Sequence, residues 1–297
     1  MFHSLCNGPG ISGEESDLVD AAKTRLHFAI NHMAAPQLDL QSFFALAREL
    51  GIVDVEIRND IAGKPILDGT PAASVRAASA AAGVNIITIN ALQRFNAWSS
   101  ERRAEAEALA DYARDCGAAA LILVPTNDGT GRRDGERQDN LRTALEGLRP
   151  ILEARGIRGL VEPLGFETCS LRLKRDAVAG IAAVGGEAVF KVTHDTFHHH
   201  LAGEAEIFPA MTGLVHISGV EDASLAVSGM RDAHRVLVGP RDRLGNLEQL
   251  GALLAAGYSG PVSFEPFAEE LRRLENPAAA IRESMDYIEA RLVREAA

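Results

Sequence analysis

Four ionisable residues stand at the ends of short apolar segments: Glu162 in Val161-Glu-Pro-Leu-Gly-Phe166, Asp195 in Phe190-Lys-Val-Thr-His-Asp195, His216 in Leu214-Val-His-Ile-Ser-Gly219 and Glu265 in Val262-Ser-Phe-Glu-Pro-Phe267. An apolar segment that carries an ionisable group inward must pair or coordinate it, because burying it alone costs several kcal/mol. Three carboxylates brought together also repel one another and call for a cation. Three carboxylates with one imidazole form a hard-to-borderline donor set. It suits one divalent metal ion, Mn²⁺, Mg²⁺, Co²⁺ or Zn²⁺, and not a structural thiolate zinc. Taken singly, His216 reads as a half-buried histidine bonded to a neighbour, and Glu162 or Glu265 as a carboxylate paired at a rim. Their convergence is what favours the metal.

The spacing shows how they would meet. Successive ligands are 33, 21 and 49 residues apart, about the length of one or more βα units and too far for a local metal motif. A barrel of parallel strands gathers all its strand ends on one face. His198, three residues beyond Asp195, is placed to reach the same site or to orient a substrate; His194, His199 and His200 read as residues behind or around it.

The elements that must position these groups alternate along the chain. Strands are expected at Arg25–Met33, Val53–Asn59, Asn85–Asn90, Ala120–Pro125, Arg158–Leu164, Phe190–His200, Leu214–Val220 and Pro261–Phe267. Helices are expected at Leu38–Leu50, Thr70–Ala82, Ser100–Cys116, Glu136–Arg155, Leu171–Val184, Glu204–Met211, Asn246–Ala256 and Pro277–Glu295. Gly51 and Gly83 close the first two. Eight short apolar strands alternating with eight helices predict an α/β fold, a single (β/α)₈ TIM barrel with its parallel sheet buried on both faces. No G-x-G-x-x-G follows the first strand, which disfavours dinucleotide binding. Residues 1–24 read as an N-terminal extension and 25–297 as the barrel.

Length and charge agree with that outline. The 297 residues, 46% hydrophobic and 24% charged, suit one large globular domain. A formal charge of −11 repels phosphate backbones, so nucleic acid is not an expected partner. No apolar run is long enough for a membrane span, and Met1 to Gly13 is too polar for a signal peptide. The three scattered cysteines, Cys6, Cys116 and Cys169, form no disulfide or zinc pattern and point to the cytoplasm.

At these residues the chain resembles the xylose isomerase-like TIM-barrel superfamily of sugar isomerases and epimerases, and within it the inosose (2-keto-myo-inositol) isomerases. The likeness rests on Val55-Glu-Ile-Arg58, Asn90-Ala-Leu-Gln-Arg-Phe-Asn96, Asp195-Thr-Phe-His-His-His200, Val215-His-Ile217 and Phe264-Glu-Pro-Phe267. It implies Glu162, Asp195, His216 and Glu265 as metal ligands, with Glu162 and Glu265 also flanking the substrate as acid/base groups. Arg58, Asn90, His198 and Arg235 are the expected substrate contacts, Arg235 reading equally well as a solvated rim charge. The implied reaction moves a carbonyl to the adjacent carbon through an enediolate, on a keto-inositol; the implied partner is a small polyol or keto-sugar, and the expected assembly a homodimer or homotetramer. A ketose 3-epimerase, a hydroxypyruvate-type isomerase or an inosose dehydratase would use the same residues. No glycine-rich phosphate cradle follows strands seven and eight, which favours an unphosphorylated substrate.

Two readings lie further off. Asp232-x-His234 resembles the second-metal pair of endonuclease IV-type nucleases. Those enzymes need further histidines after strands two and three, where this chain has Glu56 to Asn59 and Asn90 to Asn96. A non-catalytic sugar-binding barrel would have no reason to keep unpaired carboxylates.

Overall fold

The alternating elements close into a barrel of eight parallel strands hydrogen-bonded in chain order, β8 returning to β1. The structure is a computed structural model that describes residues 26–61, 66 and 69–295, with side chains to residue 292. The strands are β1 (Phe28–Asn31), β2 (Asp54–Arg58), β3 (Asn85–Gln93), β4 (Ala120–Val124), β5 (Arg158–Val161), β6 (Phe190–Asp195), β7 (Thr212–Ile217) and β8 (Val262–Phe264). The helices are α1 (Leu40–Leu50), α2 (Ala72–Ala82), α3 (Ser100–Cys116), α4 (Glu136–Glu153), α5 (Lys174–Ala183), α6 (Thr196–Ala202), α7 (Asn246–Ala255) and α8 (Pro277–Glu295). The proposed extension, residues 1–24, lies outside the described residues. No helix among the described residues is long and apolar enough to cross a membrane.

Side chains alternate across each strand, so one set faces the helices and the other fills the barrel. Val55, Ile57, Ile89, Leu121, Leu123, Val161, Val192, Val215, Ile217 and Phe264 join the helix faces in the main core. The helical side is set by ordinary local rules. In α1 the Asp39 side chain accepts the Ser42 N–H at 2.8 Å, and Gly51 ends the helix in the left-handed region at φ 75°. Phe43, Phe44, Leu46, Ala47 and Leu50 form its buried stripe.

The inward set is mixed. Ala91, Ala120, Ile122, Leu160 and Leu214 make a small separate apolar cluster. Two residues beyond Leu160 and Leu214, on the same strand faces, stand Glu162 and His216. Register shifts interrupt the β2–β3, β3–β4 and β6–β7 pairings, and such irregularities re-aim side chains at strand ends.

The largest departure from the sequence reading is at the sixth strand. It ends at Asp195, not His200, and His198 to His200 belong to α6. Asp195 caps that helix by accepting the His198 N–H at 2.9 Å, and Gly203 closes it at φ 63°. The helix expected at Glu204–Met211 is absent; residues 204–211 run without helical structure towards Pro209. β3 continues three residues past Asn90 to Gln93, and β5 stops just before Glu162.

Candidate metal centre

Each of the four groups is delivered by a strand end. Glu162 follows β5 directly, Asp195 is the last residue of β6, His216 lies in β7, and Glu265 follows β8 directly. All are buried, His216 completely. Their ligand atoms lie within 4.8 Å of one another. The Nδ1 of His216 stands among the carboxylates, 2.8 Å from Glu162, 3.2 Å from Glu265 and 4.0 Å from Asp195.

Two guanidinium groups brace the carboxylates. Arg235 donates through Nη2 to Asp195 at 2.7 Å and to Glu265 at 3.1 Å, through Nε to the Ser218 hydroxyl and through Nη1 to Asp232. It is 1% exposed, with its guanidinium over the rings of Phe197 and Phe267. The alternative of a solvated rim charge is therefore excluded. Arg58 reaches Glu265 at 2.7 Å while Asp60 holds its other nitrogens at 2.7 and 2.8 Å. Asn31, from the end of β1, adds its amide to Glu265 at 3.3 Å.

Sequence reasoning passed over Glu56. It lies fully buried in β2, and both its oxygens are 3.1 Å from His216 Nε2. Thr88 and Asn90 of β3 and Ser263 of β8 also donate to it, at 2.6, 2.9 and 2.5 Å. Asn90 thus spends its amide on Glu56 and on the Thr88 hydroxyl. The available signal was an acidic residue between Val55 and Ile57, on the inward side of β2.

The remaining expected residues are placed as follows. His198 is buried beside the site, its ring edge-on to Phe166 and Phe197 at 5.2 Å from each, and its Nδ1 has no hydrogen-bond partner among the described residues. Gly165 lets the chain after β5 pass over α6: a Cβ there would meet the His198 carbonyl oxygen at 2.1 Å. His194 bonds Gln249 and His199 meets Lys174, so both face away from the ligand group. Asp232 bonds Arg235, and His234 Nδ1 accepts the Arg231 N–H, so this pair stands outside the group of four.

The electrostatics follow from burial and charge. Burial pushes Glu162 up, and the nearby Glu265 and Asp195 charges add to that against the pull of His216, so its pKa is raised. Burial acts on Glu265 in the same direction, but His216, Arg235 and Arg58 overcome it and hold it strongly ionised. Burial would neutralise His216; the charges of Glu265, Glu56 and Glu162 reverse this and raise its pKa well above the usual value. Four buried carboxylates, counting Glu56, face two buried arginines here. The surplus of negative charge, the oxygen-rich donors and the imidazole nitrogen aimed among them fit a divalent cation. Glu162, Asp195, His216 and Glu265 are the residues that would hold it.

Comparison with known proteins places the fold. The xylose isomerase-like TIM barrel family matches residues 44–291. A xylose isomerase domain-containing protein from Salmonella typhimurium LT2 is 35% identical over 91% of this chain and 98% of its own, with a TM-score of 0.82. An IolI protein with a bound zinc atom superposes with a TM-score of 0.80 at 19% identity, over 89% of this chain and 98% of its own. A D-psicose 3-epimerase with D-tagatose from Clostridium cellulolyticum H10 gives 0.68 at 16% identity, over 89% and 98%. No curated protein matches the sequence. The chain belongs to the xylose isomerase-like TIM barrel family.

Proposed function

We propose that this xylose isomerase-like barrel is a divalent-metal-dependent isomerase of sugars or cyclitols that shifts a carbonyl to the adjacent hydroxyl carbon, with a keto-inositol as its substrate. The observation that carries the reading is the convergence of Glu162, Asp195, His216 and Glu265 within 4.8 Å on one barrel face. The fold shared with the zinc-bound IolI protein and the ketose epimerase supports it.

A bound divalent metal supplies Lewis acidity for the substrate oxygens. The other tasks fall to side chains. Glu162 accepts one hydrogen bond, from His216, among the described residues. It is the carboxylate free to take the proton from the carbon beside the carbonyl and return it to the neighbouring carbon. Glu265 receives donors from Arg58, Arg235 and Asn31, which fix its orientation and charge. A 3-epimerase would need a second acid/base group on the opposite substrate face, and Glu265 is the candidate for that reading. His198 presents the unpaired Nδ1 to a substrate hydroxyl. Phe166, Phe197 and Phe267 border His198 and Arg235 with apolar rings, which strengthens electrostatic interactions in the site.

The test is solvent-deuterium exchange. Metal-free and Mn²⁺-supplied protein is incubated in D₂O with inosose and, separately, with a set of ketoses, and the products are read by NMR. Metal-dependent deuterium at the carbon beside the carbonyl supports the proton transfer, and product identity separates isomerase from epimerase. If metal is bound and no substrate exchanges, the reading fails for those substrates.

A further inference from the structure

We propose that Glu56 is a positioning residue for the metal centre: it holds the Nε2–H of His216 and thereby dedicates Nδ1 to the metal. The inference rests on the metal reading above, but concerns a residue outside the ligand group.

The two nitrogens of the His216 ring face different carboxylates. Nδ1 stands 2.8 Å from Glu162 and 3.2 Å from Glu265, on the ligand side. Nε2 stands 3.1 Å from both oxygens of Glu56, on the interior side. The contact crosses the barrel, from β2 to β7, between residues that are both completely buried. A metal-ligating histidine whose second nitrogen is held by a carboxylate has its tautomer and ring orientation fixed and its basicity raised.

The surroundings of Glu56 suit that task. Thr88, Asn90 and Ser263 donate to it from β3 and β8, and Thr88 in turn braces the Asn90 amide. Those three partners are neutral, and no arginine or lysine pairs with Glu56 among the described residues, in contrast to Glu265 and Asp195. The charged partner of this buried carboxylate is His216. A carboxylate kept in the interior for structure alone would cost free energy that a hydrophobic residue would not. Its neighbours donate to it, and an amide in its place would bring no charge to the His216 ring.

The experiment titrates Zn²⁺ alone into the full chain as wild type, Glu56→Gln, His216→Ala and the double variant. Glu56→Gln is expected to weaken zinc binding about 10–100-fold in the wild-type background. In the His216→Ala background it should change binding by less than about twofold, because the residue acts through the imidazole. An equal loss in both backgrounds overturns the proposal, as does no loss in Glu56→Gln while His216→Ala weakens binding. If His216→Ala itself leaves zinc affinity unchanged, the metal centre is misassigned and this inference falls with it. A second measurement needs no variant: nitrogen-15 NMR of the zinc-loaded wild type should show His216 protonated at Nε2. Protonation at Nδ1 overturns the proposal.

Discussion

Two residues apart on the same strand face, this barrel changes character. On β5 and β7, Leu160 and Leu214 belong to a small apolar cluster inside the barrel, and Glu162 and His216 one step on belong to the ligand group. Both layers are buried, and both strands run parallel in one closed sheet, paired to β6 between them. The lower layer is held by contact area alone, which is non-directional and tolerant of shape-preserving change. The upper layer is held by named pairs, each of which leaves an uncompensated charge if broken. Stability and chemistry are thus separated by one strand repeat, about 6.6 Å along the strand.

Substitutions on either side of that boundary should have different consequences. The largest effect is expected for Glu162→Gln, which should lower metal-dependent deuterium exchange about 10²–10⁴-fold while keeping an isosteric acceptor beside His216. Leu160→Ala should act on stability instead. It should cost about 2–5 kcal/mol in urea unfolding, with zinc affinity unaltered. If Leu160→Ala loosens zinc binding as much as it loosens the fold, the two layers are not separable. Gly165→Ala tests a contact between them and the surface, because a methyl group would strike the His198 backbone and Leu201. A cost of about 1–3 kcal/mol is expected in unfolding, together with reduced exchange activity. Val227, 41% exposed in a short 3-10 turn far along the β7 loop, should tolerate Asp with a change of no more than about 0.5 kcal/mol.

Metal affinity should also depend on pH in a fixed direction. His216 has a raised pKa in the metal-free protein, so at neutral pH its Nδ1 carries a proton that a metal must displace. Zinc affinity should therefore rise about tenfold per pH unit, and level off once pH exceeds the His216 pKa. A flat profile between pH 6 and 8, measured by competition with a chelator whose own protonation is corrected for, would contradict that assignment.

How far the site was legible depended on range. Glu162, Asp195, His216 and Glu265 could be picked out because each stands at the end of a short strand-like segment, at spacings that only a barrel of βα units brings together. The end of the sixth strand was misplaced because Asp195 is both a strand residue and a helix cap. An apolar-to-polar run does not distinguish a longer strand from a strand followed by α6. The helix expected at Glu204–Met211 failed for a related reason: its apolar spacing resembles a helix, but Gly203 ends α6 just before it and Pro209 stands inside it.

The amino-acid sequence by itself determined the (β/α)₈ order and the chemical type of the four ligand groups. These follow from periodicity and composition, which act over a few residues. Only the tertiary structure decided that Arg235 is buried against Asp195 and Glu265, that Asn90 serves Glu56, and that Glu56 meets His216 across 160 positions of sequence. Barrel closure sets those pairings, because joining β8 to β1 leaves only those two strands between β7 and β2, and no local pattern encodes that closure.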